Sequence, residues 1–216
     1  MNLDAAAAAY YAGEPLISDR QFDRLAAAAG RRKVGGPAGK IDHPTPMLSL
    51  RREDDPSAWI RRLGCPVVCS VKIDGMAARL RFVRGQLVQA VSRGDGKRGC
   101  DITAAVADSG AVSTGWDQFT GEVRGELWTP EPGRYASCQS HVAAVIRSGR
   151  VAGAGVQFTA HDRAPRVDDW NVDGWTGFVN GIPSDGIVVA AADPAVRRRL
   201  GDDGYVPLWA VAVKPW

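Results

Sequence analysis

Apolar positions along this chain follow two different periods. Up to Ala29 they recur at helical spacing. Residues 3 to 12 form an alanine-rich run that predicts a helix ending near Gly13, and Gly13-Glu14-Pro15 makes a turn. Ser18 then opens a second helix. Its spacing to Gln21 fits a capping box, Asp19 suits the positive helix start, and Phe22, Leu25 and Ala29 follow on one face. Residues 1–36 are therefore expected to form a small helical hairpin, and the glycine-rich stretch Val34 to Gly39 a flexible connector.

From residue 43 the pattern becomes alternating. Val67 to Ile73, Ala77 to Val83, Leu87 to Ser92, Gly121 to Trp128, Gly155 to Ala160, Gly186 to Ala191 and Leu208 to Lys214 read as strands separated by Gly- or Pro-bearing turns. Gln139 to Ser148 reads as a helix and Ala195 to Leu200 as a short one. Strands outnumber helices without regular alternation, which predicts an α+β fold of antiparallel sheets over residues 40–216.

Composition narrows this only slightly. The 216 residues are 45% hydrophobic, enough for one sizeable core with a small appended unit. A formal net charge of +3 permits nucleic acid without arguing for it. Basic clusters such as Arg31 to Lys33 and Arg197 to Arg199 are scattered along the chain. Cys65, Cys69, Cys100 and Cys138 form no C-x-x-C pair and have no histidine at zinc-ligand spacing, so neither a zinc site nor a disulfide framework is expected. With no export signal and no apolar run of membrane-spanning length, the cytoplasm is the expected compartment and no membrane partner is expected.

Candidate chemistry concentrates in Ser70-Val71-Lys72-Ile73-Asp74-Gly75, which closes an apolar strand. Alternation places Ser70, Lys72 and Asp74 on one face and Val71 and Ile73 on the other. Gly75 allows a sharp turn and the close approach of a ligand. A lysine attacks phosphorus or carbonyl centres as the free amine, a form favoured by desolvation and by nearby cations. Standing alone, the segment reads as a lysine reaching solvent. It is accompanied, in order, by Ser92-Arg93-Gly94-Asp95-Gly96, Gly99-Cys100-Asp101-Ile102-Thr103, Glu122-Val123-Arg124-Gly125-Glu126-Leu127-Trp128, Ser184-Asp185-Gly186-Ile187-Val188-Val189, and Trp209 to Lys214. His43-Pro44-Thr45-Pro46-Met47-Leu48-Ser49-Leu50 stands upstream.

In this order and at this spacing, the set resembles the adenylation module of bacterial NAD-dependent DNA ligases, within the lysine-nucleotidyl transferase superfamily. The resemblance extends over essentially the whole chain. It implies a nucleotidyltransferase domain whose nucleotide lies in a groove between antiparallel sheets. It also implies that Lys72 attacks the α-phosphorus of NAD, forming a lysyl-AMP phosphoramide and expelling nicotinamide mononucleotide (NMN). Asp74 is then expected to orient the lysine or a metal, Arg93 to lie near ribose and phosphate, and Glu126 near the ribose or a catalytic metal. Lys214 is expected to stabilise charge on the α-phosphate, and Ser49 and Leu50 to lie beside the adenosine. Ser70, Val71 and Arg124 join these as nucleotide-binding positions. Tyr10, Tyr11, Asp19, Phe22 and Asp23 look like the family's NMN-binding element, which ATP-dependent relatives lack; aromatic faces can stack on a nicotinamide ring and aspartates can hold ribose hydroxyls. Mg²⁺ is implied as a clamp on the transferring phosphoryl group, with no protein ligand assigned to it.

Departures from the family pattern cluster around the nucleotide. Ser70 replaces a glutamate, Ala190 a lysine, Phe22 a tyrosine and Cys100 a glutamate. The family's Asn- and Arg-containing segment has no clean counterpart; Cys138 to Arg147 occupies its place, with His141 and Arg147 as candidate substitutes. The chain ends just past Lys214, before the DNA-encircling parts of a sealing ligase. The leading expectation is therefore an adenylyltransferase that opens NAD or an NAD derivative and passes AMP to water or a non-DNA acceptor. A split or phage-like ligase subunit completed by a DNA-binding partner, and a catalytically silent NAD-binding module, remain the alternatives.

Overall fold

The computed structural model describes residues 38–131, 137–170 and 176–214, with scattered positions among residues 2–29. The expected hairpin, with Tyr10, Tyr11, Asp19, Phe22 and Asp23, lies outside the described residues. The fold is α+β and its sheets are predominantly antiparallel, as the alternating pattern predicts.

The strands are β1 (Ile41–Asp42), β2 (Arg51–Glu53), β3 (Val67–Ile73), β4 (Met76–Val83), β5 (Gln86–Ser92), β6 (Arg98–Gly99), β7 (Gly121–Trp128), β8 (Gln157–Ala160), β9 (Arg166–Val167), β10 (Thr176–Val179), β11 (Ile182–Ala191) and β12 (Ala210–Val213). The helices are α1 (Ser57–Leu63), α2 (Thr103–Ser109), α3 (Cys138–Ser148) and α4 (Pro194–Leu200). Among the described residues no helix is long and apolar enough to cross a membrane.

The chain divides into two compact units, each built from two stretches. The first, Met1–Met47 with Asp74–Asp162, contains the sheet β5-β4-β7-β8 and the small pair β1-β6. Alternation along β4 sends Ala78, Leu80 and Phe82 into its core, where Val106 of α2 and Val142 and Ile146 of α3 join them. Phe82 stacks on Trp116 with ring centroids 4.5 Å apart. Buried Arg79 projects from the other face of β4 and pairs with Glu122 and Gln89.

The second unit, Leu48–Ile73 with Arg163–Trp216, is one sheet in the order β2-β12-β11-β3-β9, with β10 also on β11. Only β2 and β12 run parallel among these pairs. Trp59, Cys69, Ile187, Val189, Val211 and Val213 form its core on one face. Ser70, Lys72, Val188, Ala190, Ala212 and Lys214 alternate onto the opposite face.

Candidate functional site

In the second unit, a bulge between Ser184 and Gly186 interrupts the pairing of β11 with β3. The Ser184 hydroxyl donates to the Gly186 carbonyl at 3.0 Å and helps close the bulge. Strict alternation would send Asp185 toward the core; the irregularity instead gives it to the lysine face. Its carboxylate lies 2.9 Å from Lys72 Nζ and 2.7 Å from Lys214 Nζ. Gly186 makes this approach possible, because at φ 149° a Cβ would lie 2.2 Å from the Val213 carbonyl and 3.2 Å from Lys214.

Burial pushes the Asp185 carboxyl upward, but the ammonium groups of Lys72 and Lys214 outweigh it and hold the group below the ordinary carboxylate range. Two ammonium groups on one carboxylate leave a net single positive charge. The cluster is thus suited to a phosphate, and it contains an amine able to attack one.

Other expected nucleotide positions in this unit are less distinctive. Ser70 pairs across the sheet with Val188 on one side and Arg166 on the other. Val71 is buried in the core and its N–H donates to the Pro165 carbonyl at 2.9 Å. Ala190 shares the lysine face and lies between Val68 and Ala210. Ser49 and Leu50 lead directly into β2.

In the first unit, Asp74 is committed to a helix start. Its carboxylate accepts N–H bonds from Cys138 at 2.8 Å and Gln139 at 3.3 Å, opposite the positive end of α3. Gly75 permits this path, since a Cβ there would stand 2.6 Å from the Leu127 carbonyl. The adjacent Cys138 thiol is pushed up to about 11, first by burial and then by the Asp74 charge, so it is not a ready nucleophile. His141 is engaged locally, its Nδ1 lying 2.8 Å from the Glu131 carbonyl.

Glu126, on β7, lies 3.2 Å from Nε2 of half-exposed His161, while its other carboxylate oxygen is enclosed and has no hydrogen-bond partner among the described residues. Arg124 donates to the carbonyls of Thr45 and Pro46, fastening the segment that precedes β2. Arg93 sits in the turn after β5, where its N–H donates to the Ala77 carbonyl at 3.0 Å.

The structure therefore brings Lys72 and Lys214 together, and adds Asp185, a residue of the Ser184-Asp185-Gly186 motif to which the sequence alone assigns no role. His161 and His43 were also not singled out as site residues. The Ser-Asp-Gly run was the available signal for Asp185, because an acidic residue before a strand glycine marks a bulge as readily as a turn. Among the described residues no three His, Cys, Asp or Glu side chains converge as a metal set.

Residues 38–135 match the family model for the NAD-dependent DNA ligase adenylation domain. Along 99% of its length the chain is 26% identical to a DNA ligase of Thermobifida fusca, covering 40% of that protein. It is 34% identical to a DNA ligase of Ectopseudomonas mendocina over 61% of the chain and 22% of the ligase. It is 38% identical to DNA ligase 1 of Nocardia farcinica over 45% of the chain and 18% of that protein. The chain thus spans 40% or less of the length of these relatives.

Proposed function

We propose, since this chain carries a divergent adenylation domain of the NAD-dependent DNA ligase family and is a nucleotidyltransferase, that Lys72 opens the pyrophosphate of NAD or an NAD derivative. The observation that carries this reading is the Lys72–Asp185–Lys214 cluster, a nucleophile held beside a second cation with one unit of surplus positive charge. Lys72 first loses a proton to solvent. Its nitrogen then bonds to the α-phosphorus while the phosphorus–oxygen bond to the leaving half breaks, and NMN or its analogue departs with the bridging oxygen. Lys214 offsets charge accumulating on the phosphoryl oxygens. Asp185 keeps the two amines from repelling one another and aims them at a common point.

Arg93 and Glu126 of the first unit serve the ribose and phosphates in this proposal, with Ser49, Leu50 and Ser70 beside the adenosine. Val71 contributes through position rather than side chain, and Arg124 by holding the Thr45-Pro46 backbone. Asp74 acts through the start of α3. Residues 1–36, with Tyr10, Tyr11, Asp19, Phe22 and Asp23, take the NMN half. Mg²⁺, when bound with the substrate phosphates, would offset charge on the transferring phosphoryl oxygens, and no residue of this chain is assigned to hold it.

Ser70 and Ala190 replace polar family groups near the nucleotide, which supports an acceptor other than an unaided DNA nick: water or a small phosphorylated metabolite. A second reading, a ligase subunit completed by a DNA-binding partner, is favoured by the DNA ligase relatives themselves. Incubation with NAD and Mg²⁺ followed by an assay on nicked duplex, with and without candidate partner proteins, separates them. Lysyl-AMP without sealing under all conditions supports the first reading; partner-dependent sealing establishes the second.

A further inference from the structure

The turn that carries Arg93 has glycines at 94 and 96, the residues that constrain a backbone least. It is nevertheless held firmly from outside. The segment from Gly39 to Met47 runs beside it: His43 N–H donates to the Lys97 carbonyl at 2.8 Å and Met47 N–H to the Gly96 carbonyl at 2.7 Å. Ile41 and Asp42 pair with Gly99 and Arg98. The imidazole of His43 completes the clamp, with Nε2 3.1 Å from the Ser92 carbonyl and 3.1 Å from the Arg93 carbonyl.

Both neighbours of Nε2 are acceptors, so this nitrogen carries the hydrogen and donates to them. Nδ1 is then a bare lone pair, enclosed and without a hydrogen-bond partner among the described residues. His43 as a whole is only 7% exposed. Burial is the main influence lowering the His43 pKa; the bond to the Arg93 carbonyl opposes it, Arg79 lowers it, the bond to Ser92 opposes it, and Arg124 lowers it. Arg79 projects from β4 and Arg124 from β7; of the two acids on that face of β7, Glu122 is paired with Arg79 and Glu126 with His161. The neutral Nε2–H form is therefore the one the surroundings favour.

We propose that His43 is the positioning residue for Arg93: its Nε2–H fixes the Ser92 and Arg93 carbonyls, and so sets the direction in which the Arg93 guanidinium is presented to a nucleotide. This rests on Arg93 serving the nucleotide, as above, and assigns a task to the His-Pro-Thr-Pro motif that the transfer chemistry leaves unused.

The test compares His43→Leu, which removes the donor, with His43→Gln, which keeps a nitrogen donor near the place of Nε2. Amide hydrogen exchange across residues 92–99 of the full chain reads the clamp without any substrate. The Leu variant is expected to exchange about 10-fold faster there, with the Gln variant close to the parent. The rate of AMP adduct formation against NAD concentration reads the consequence. Half-saturation is expected to rise about 10-fold in His43→Leu while the maximal rate stays near that of the parent, with recovery in His43→Gln.

Parent-like exchange and half-saturation in a folded Leu variant, or a Gln variant no better than Leu, overturns the proposal. Should the Leu variant not fold, His43→Asn, whose shorter amide cannot reach both carbonyls, takes its place in the same two measurements: faster exchange across residues 92–99 with raised half-saturation, against recovery in His43→Gln, supports the clamp, and parent-like values in His43→Asn overturn it. If the parent forms no adduct with NAD, the NAD reading fails separately, and the exchange measurement alone decides for or against the clamp.

Discussion

Lys72 and Lys214 come from the strands on either side of β11, and their like charges would repel across the point where one phosphate is to bind. Asp185 occupies that point of conflict from β11 itself. Asp185→Asn keeps the shape and removes the charge. It is predicted to slow lysyl-AMP formation by about 100-fold or more, measured by intact mass over time, because aimed charged groups contribute on this scale. The same carboxyl has a pH signature. Its pKa is lowered in the folded state, so its stabilisation is present above the unfolded value of about 4 and is lost as pH falls through the folded one. Urea midpoints should therefore decline below about pH 4, and less so in the Asn variant. Ala190→Lys restores the cation that the family pattern leads one to expect and is predicted to speed adduct formation from NAD; unchanged or slower kinetics would place the substrate away from that row. Lys72 and Lys214 were legible because their motifs are local. Asp185 was not, because its place depends on a bulge that breaks the alternation from which faces are read.

At the scale of elements, the strands with clean alternation were readable nearly to the residue: Val67–Ile73 and Gly121–Trp128 have their expected bounds. β11 begins at Ile182 rather than at Gly186, since Pro183, Ser184 and Asp185 look like a turn until they are paired with β10 and β3. Helices α1 and α2 are not evident from the sequence for a shared reason: each is only 7 residues long, and the aspartates that accept their first N–H, Asp55 and Asp101, stand two residues ahead of the accepted N–H, behind Pro56 and Ile102. By contrast, α3 carries Ser137 as its cap and was found within one residue. Ser137→Ala is predicted to cost about 1 kcal/mol in urea denaturation without changing adduct formation, because Asp74 still caps the helix. Gly186→Ala acts differently. Its Cβ would sit 2.2 Å from the Val213 carbonyl, forcing β11 and β12 apart at Lys214. A destabilisation of about 1–3 kcal/mol is expected with a loss of adduct formation, and normal kinetics in this variant would contradict the role given to the bulge.

At the scale of the whole molecule, the sequence reading foresaw one sizeable core with an appended hairpin, and the described residues form two units with separate cores. The strand pattern did not reveal this because both units are built from non-contiguous stretches; the chain passes from one to the other after Met47, Ile73 and Asp162. Lys72 stands immediately before one of these passages, so its motif holds residues of both units: Lys72 in the second, and Asp74 and Gly75 in the first. A net charge of +3 offers few counterions to release, so this chain is predicted to bind nicked duplex weakly at about 150 mM salt, as measured by fluorescence anisotropy. The central claim, that Lys72 takes AMP from NAD, is tested most directly by intact-mass analysis after incubation with Mg²⁺ and either NAD or ATP, beside a Lys72→Ala control. The account predicts one AMP adduct from NAD, none from ATP and none in the variant. An adduct that survives Lys72→Ala, or one formed from ATP but not from NAD, would contradict it.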